Sequence, residues 1–173
     1  NELKDILIDC CWSLNYIVDG SPEIIDDFLI PELLVRLLTL VNCNVMSVQI
    51  PIIRILGNLT TGDDRQTQAI LDAGLLAALC TTLEHPKRSI RKEVSWVLSN
   101  LTAGNTQQLQ QCIDGGVIEK LTHVLIHDNA TVKMEAVWAL SNATAIATPE
   151  QMDFMVKKDL IRALSECLKI DEV

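Results

Sequence analysis

Apolar residues recur along the chain at intervals of three and four, the spacing that lines one face of a helix, and polar clusters punctuate them. The middle of the chain shows this most clearly. It reads as two shorter helices over 63–72 and 75–83 and a longer one over 88–101, with Gly74 between the first two. The arrangement then repeats. Trp12, Arg54, Trp96 and Trp138 stand 42 residues apart, and Tyr16, Asn58, Asn100 and Asn142 follow each of them by four. Ile6, Val48, Ile90 and Val132 keep the same step, as do Leu14, Leu56, Leu98 and Leu140, and as do Gly20, Gly62 and Gly104 until Ile146 breaks the series. The period predicts a third helix over 1–20, repeats over 21–62, 63–104 and 105–146, and the first two helices of another over 147–173. Pro51 falls inside a long helix and is expected to kink it or to begin its regular part.

Turning the long helix by about 100° per residue gathers positions 6, 10, 13, 14 and 17, with their equivalents 42, 84 and 126 later, on one apolar face predicted to be core. The opposite face carries Asp9, Trp12 and Tyr16, then Pro51, Arg54 and Asn58, then Glu93, Trp96 and Asn100, then Glu135, Trp138 and Asn142. An acid, an indole and an amide thus recur away from the core. Two readings of the indoles stand: packing on the neighbouring repeat, or parallel slots that take the aliphatic stem of Lys or Arg while ring faces and a carboxylate meet its charge. The amides likewise either bond one helix to the next or grip the N–H and C=O of an extended peptide. Arg54 replaces the indole where Pro51 replaces the acid, so it interrupts a cation-binding groove, and it also suits a salt bridge between repeats.

Composition narrows the classes. Hydrophobic residues make up 49% of the chain and aromatics only 3%, which suits packed helices built on Leu, Ile, Val and Ala. The net charge of −9 repels nucleic acid and favours cationic partners. No apolar run reaches the roughly 18 residues of a membrane span, and no signal peptide is expected at the N-terminus. Cys10, Cys11, Cys43, Cys80, Cys112 and Cys167 form no CxxC pair and are expected to be mostly buried free thiols. No phosphate loop, GxSxG or HExxH motif is present, and His85, His123 and His127 show no matching ligand partners, so neither an enzyme, a cofactor nor a metal is expected. The basic stretch Lys87, Arg88, Arg91 and Lys92 reads as a solvated helix start.

A repeat of about 42 residues made of two shorter helices and a longer one resembles the armadillo type, which implies an all-α, right-handed superhelical solenoid of about four repeats. Within that type, DCCWSLNYIVDG, IIRILGNLTTGDD, EVSWVLSNLTAGN and EAVWALSNATA resemble the third helices of importin alpha. The resemblance implies a nuclear import adaptor of cytoplasm and nucleus that binds basic nuclear localisation signal peptides, with importin beta contacted through a region this chain does not contain. It implies that Trp96, Asn100, Trp138 and Asn142, with Glu93 and Glu135, form the family's minor signal-binding site, and that Thr61, Gly62, Asp64 and Thr67 line it from the preceding repeat. Trp12 with Tyr16, and Arg54 with Asn58, resemble the central repeats between the family's two sites, and Asp9 and Trp12 border the major one. SNATAIATPEQ departs from the family by lacking a glycine after the helix and by lengthening the next register by one residue. The other class is an armadillo scaffold of the adhesion or signalling kind. Its grooves are basic, whereas this face carries carboxylates.

Overall fold

The computed structural model describes residues 2–169. Four long helices, α1 (Glu2–Gly20), α4 (Met46–Leu59), α7 (Arg88–Thr102) and α10 (Ala130–Ile146), stack side by side in one layer. Behind them run α3 (Pro31–Val41), α6 (Leu75–Thr82), α9 (Val117–His127) and α12 (Leu160–Cys167), also stacked in order. The shorter helices α2 (Ile25–Phe28, after a 3-10 turn at Pro22–Ile24), α5 (Asp64–Asp72), α8 (Thr106–Asp114) and α11 (Pro149–Lys157) complete the units.

The predicted core face is buried in α4, α7 and α10. Val48, Ile52, Ile55, Leu56 and Leu59, with their equivalents 42 and 84 residues on, are all at most 1% exposed. Each large aliphatic side chain so enclosed contributes about 1.5–3 kcal/mol. The same face of α1 is a correction. Ile6 is 58% and Ile17 51% exposed, Cys10 and Ser13 are exposed, and α1 instead buries Cys11, Asn15 and Val18. The physical reason is the missing second layer: α3, α6 and α9 back α4, α7 and α10, whereas α1 packs chiefly on α4 among the described residues.

Turn chemistry keeps the repeats in step. Gly74 (φ 99°) and Gly116 (φ 74°) occupy the left-handed region at the N-caps of α6 and α9. Asp159 (φ 63°) does so before α12, one residue later than the 42-residue step predicts. Capping boxes at Asp63/Gln66, Asn105/Gln108 and Thr148/Gln151 start α5, α8 and α11. Their glutamines reach back a repeat: Gln66 Nε2 donates to Asp26 Oδ1 (3.2 Å), Gln108 Nε2 to the Asp64 carbonyl (2.9 Å) and Gln151 Nε2 to the Thr106 carbonyl (2.8 Å). A Cβ on Gly62 or Gly104 would lie 2.3 or 2.2 Å from the Oε1 of Gln66 or Gln108, so a larger residue there must displace the end of a capping-box glutamine. Ile146 stands outside that pattern because it is the last residue of α10, which runs longer than α4 or α7.

Two expectations need amendment. The helix does not begin at Pro51: α4 already runs from Met46 and passes through the buried proline without a break. The six cysteines are free, but only Cys11 and Cys112 are buried, and Cys10 is exposed. Burial pushes the Cys112 thiol up to about 12.

Candidate functional site: a groove along the long helices

The face of α1, α4, α7 and α10 opposite the second layer holds a cleft of about 290 Å³ lined by Asn15, Asp19, Arg54, Asn58, Lys92, Glu93, Trp96 and Glu135. Helical spacing places these groups, since Arg54 and Asn58, or Glu93 and Trp96, lie one turn apart on successive helices. Three carboxylates and two cations share the cleft.

Arg54 and Glu93 form a bidentate pair, Nε to Oε2 and Nη2 to Oε1, both 3.1 Å. Bonding to Glu93 raises the Arg54 pKa first of all, burial opposes this, and the charges of Glu93 and Asp19 add to it. The carboxylate foreseen at the mouth of the Trp96 slot is therefore already engaged, and the salt-bridge reading of Arg54 holds. Glu135 is bound less closely, with Lys92 Nζ at 3.9 Å.

The indoles divide. Trp96 is half-buried, and a Cβ on Gly57 would fall 2.1 Å from its Cζ3, so its ring lies flush on the backbone of the preceding long helix. Trp138 is 61% exposed. Trp12 is half-buried and stacks on Tyr16 at 5.8 Å between centroids and 28° between planes, while Tyr16 is 66% exposed.

The amides bond between helices. Asn100 Nδ2 donates to the Gly57 carbonyl (3.1 Å) and to Thr60 Oγ1 (3.4 Å), and Asn142 Nδ2 donates to the Ser99 carbonyl (3.0 Å). Their part in joining repeats thus stands beside any part in gripping a ligand. Asn15 lines the cleft, and its buried Oδ1 has no hydrogen-bond partner.

The remaining residues spread out. Thr61 is exposed and donates to the Asn58 carbonyl (2.7 Å). Asp64 is exposed and accepts from Asn105 Nδ2 (2.9 Å), which ties one cap to the next. Thr67 is 4% exposed and sits beneath the surface of α5. Asp9 lies with Ile6, Cys10, Ser13 and Leu14 in a separate shallow hollow, apart from the cleft. Asn15, Asp19 and Lys92 are cleft residues that the 42-residue columns did not single out, although Lys92 adjoins the acid column and Asn15 adjoins the amide column. The basic stretch is also not uniformly solvated: Arg91 donates to both oxygens of Asp128 at 2.6 and 2.8 Å. That contact holds the Asp128 carboxyl below the usual range.

The armadillo/beta-catenin-like repeat model matches residues 63–103 and 105–145. Importin subunit alpha-3 of Arabidopsis thaliana is 42% identical over 82 residues, 47% of this chain and 15% of that protein. Importin subunit alpha-1b of Oryza sativa subsp. japonica is 39% identical over 80 residues, 46% of this chain and again 15% of the relative. The chain thus matches only a small share of the length of these curated relatives. A solved designed armadillo repeat protein in complex with the peptide (KR)4 superposes with a TM-score of 0.88 at 25% identity, covering 95% of this chain and 68% of that one. Fold and repeats define an armadillo-repeat solenoid. Over about half of its length its sequence is similar to importin alpha subunits.

Proposed function

We propose that this segment binds extended Lys/Arg-rich peptides of the nuclear localisation signal type along the face of α4, α7 and α10, as part of a nuclear import adaptor that works between cytoplasm and nucleus. The observation that carries the reading is the convergence of Trp96 with Asp19, Glu93 and Glu135 in one cleft. An indole face and carboxylates together recognise a cation carried on an aliphatic stem. The exposed Trp138 offers a second such face one repeat on. Asn100 and Asn142 commit an amide N–H to the neighbouring helix, and their carbonyl oxygens are the atoms suited to accept from a ligand backbone. In this reading Thr61, Gly62 and Asp64 serve as flanking contacts and the stacked Trp12 and Tyr16 extend the apolar surface on α1, whereas Asp9, in its separate hollow, takes no part.

The (KR)4 ligand named for the designed armadillo repeat protein is of the same chemistry. The cleft charge, with Arg54 and Lys92 countering three carboxylates, makes binding modest and salt-sensitive. Titration calorimetry with one Lys/Arg-rich and one Asp/Glu-rich peptide tests the proposal. The basic peptide is expected to bind and to weaken as salt rises. Preference for the acidic peptide would replace this reading with that of a scaffold for another class of partner.

A further inference from the structure

A second, larger cleft lies elsewhere, between the loop after α6 and the helix α9. It has a volume of about 790 Å³ and shares no lining residue with the groove. All three histidines of the chain, His85, His123 and His127, line it. His123 and His127 are four residues apart on α9, both are exposed, and their ring centroids are 4.5 Å apart with 47° between planes.

We infer that His123 and His127 form a chelating pair for a first-row divalent transition-metal ion. Two imidazoles four residues apart on one helix face are the spacing that zinc-binding helices use. Metal–nitrogen bonds of about 2.0–2.1 Å let one ion bridge rings this close. The charged lining residues are each paired, with one carboxylate oxygen of Glu119 buried and left without a hydrogen-bond partner. Glu84, whose carboxyl feels the charge of His123, accepts a hydrogen bond from Lys120, and Arg91 is held by Asp128. Glu119 pairs with Lys158 at 3.0 Å, and His85 Nδ1 accepts from the Lys87 backbone N–H at 3.1 Å.

No group of three His, Cys, Asp or Glu side chains fit for a metal comes together among the described residues, so water completes the coordination. An imidazole pair with water selects Cu²⁺ and Ni²⁺ over Zn²⁺, and all three over Mg²⁺. The repeat itself supplies an internal control. His127 stands one 42-residue step after His85, but the residue before His85 that corresponds to His123 is Thr81, so the chelating pair exists on α9 alone.

The test is calorimetric titration of the tag-free chain with NiCl₂, with helicity of each variant checked by circular dichroism. One ion should bind per chain. His123→Ala and His127→Ala should each weaken binding at least tenfold, His85→Ala should change it less than twofold, and MgCl₂ should give no heat of binding. Cu²⁺ electron paramagnetic resonance should show two imidazole nitrogens in the native chain and one in either single variant. The inference is overturned if either single variant binds within tenfold of the native chain, if His85→Ala loses as much as they do, or if the native Cu²⁺ spectrum shows a single nitrogen.

Discussion

Trp96 and Trp138 hold the same address in successive repeats, yet their surroundings differ. Trp96 rests on Gly57 beside an acid already paired with Arg54, whereas Trp138 is mostly exposed and its acid, Glu135, meets Lys92 no closer than 3.9 Å. One residue type at one periodic position therefore serves packing in one repeat and lies open in the next. The difference shows that a conspicuous sequence column need not have a single energetic role: the stability and the binding contributions of the indoles are separable here by choosing which one to remove.

The largest expected effect follows directly. Trp96→Ala removes a ring packed on neighbouring backbone, and the stability loss measured by urea denaturation should be about 3 kcal/mol, the lower end for buried Trp truncation because the ring is only half-buried. Trp138→Ala should change stability by no more than about 0.5 kcal/mol, while weakening a basic peptide by about 1–3 kcal/mol. Equal stability losses in the two variants would erase the contrast.

A smaller effect isolates the contact itself. Gly57→Ala places a methyl where the Trp96 ring lies, which should cost about 1–3 kcal/mol by overpacking. In a Trp96→Ala background the clash is gone, and alanine's better helix propensity should make the same change neutral or favourable by up to about 1 kcal/mol. The non-additivity is the signature. Additive effects in urea titrations of the four proteins would mean that the ring is not seated on Gly57.

The fold was legible because the physics that sets it is periodic. A 42-residue step imposes one buried face on each long helix, and Val48, Ile90 and Val132 announce that face from spacing alone. Gly74 and Gly116 mark helix starts because only a left-handed residue fits there. What the columns did not show depends on contacts that cross the period rather than follow it. Arg54 reaches Glu93, 39 residues on, instead of a partner at 42, and the glutamine ladder reaches back 40 to 45 residues. Gly57 belongs to no column of the repeat, and the Trp96 ring seated on it leaves no trace in the spacing. The open face of α1 was equally invisible, since its apolar positions match those of helices that have a second layer behind them.

The smallest expected effect concerns the two acids. Arg54–Glu93 is bidentate, but Arg54 is 45% exposed, so most of its attraction is screened by solvent. A double-mutant cycle with Arg54→Ala and Glu93→Gln should give a coupling on the order of 1 kcal/mol or less, and the Lys92–Glu135 cycle should give less again because its closest approach is 3.9 Å. Raising the salt concentration should shrink both couplings. Their order matters for the groove. If Glu93 is the more firmly held acid, a basic ligand gains less there than at Glu135, and Glu135→Gln should weaken peptide binding more than Glu93→Gln. The reverse order in peptide titrations would mean that the ligand displaces Arg54, making that arginine a gate on the Trp96 position rather than a fixed strut between repeats.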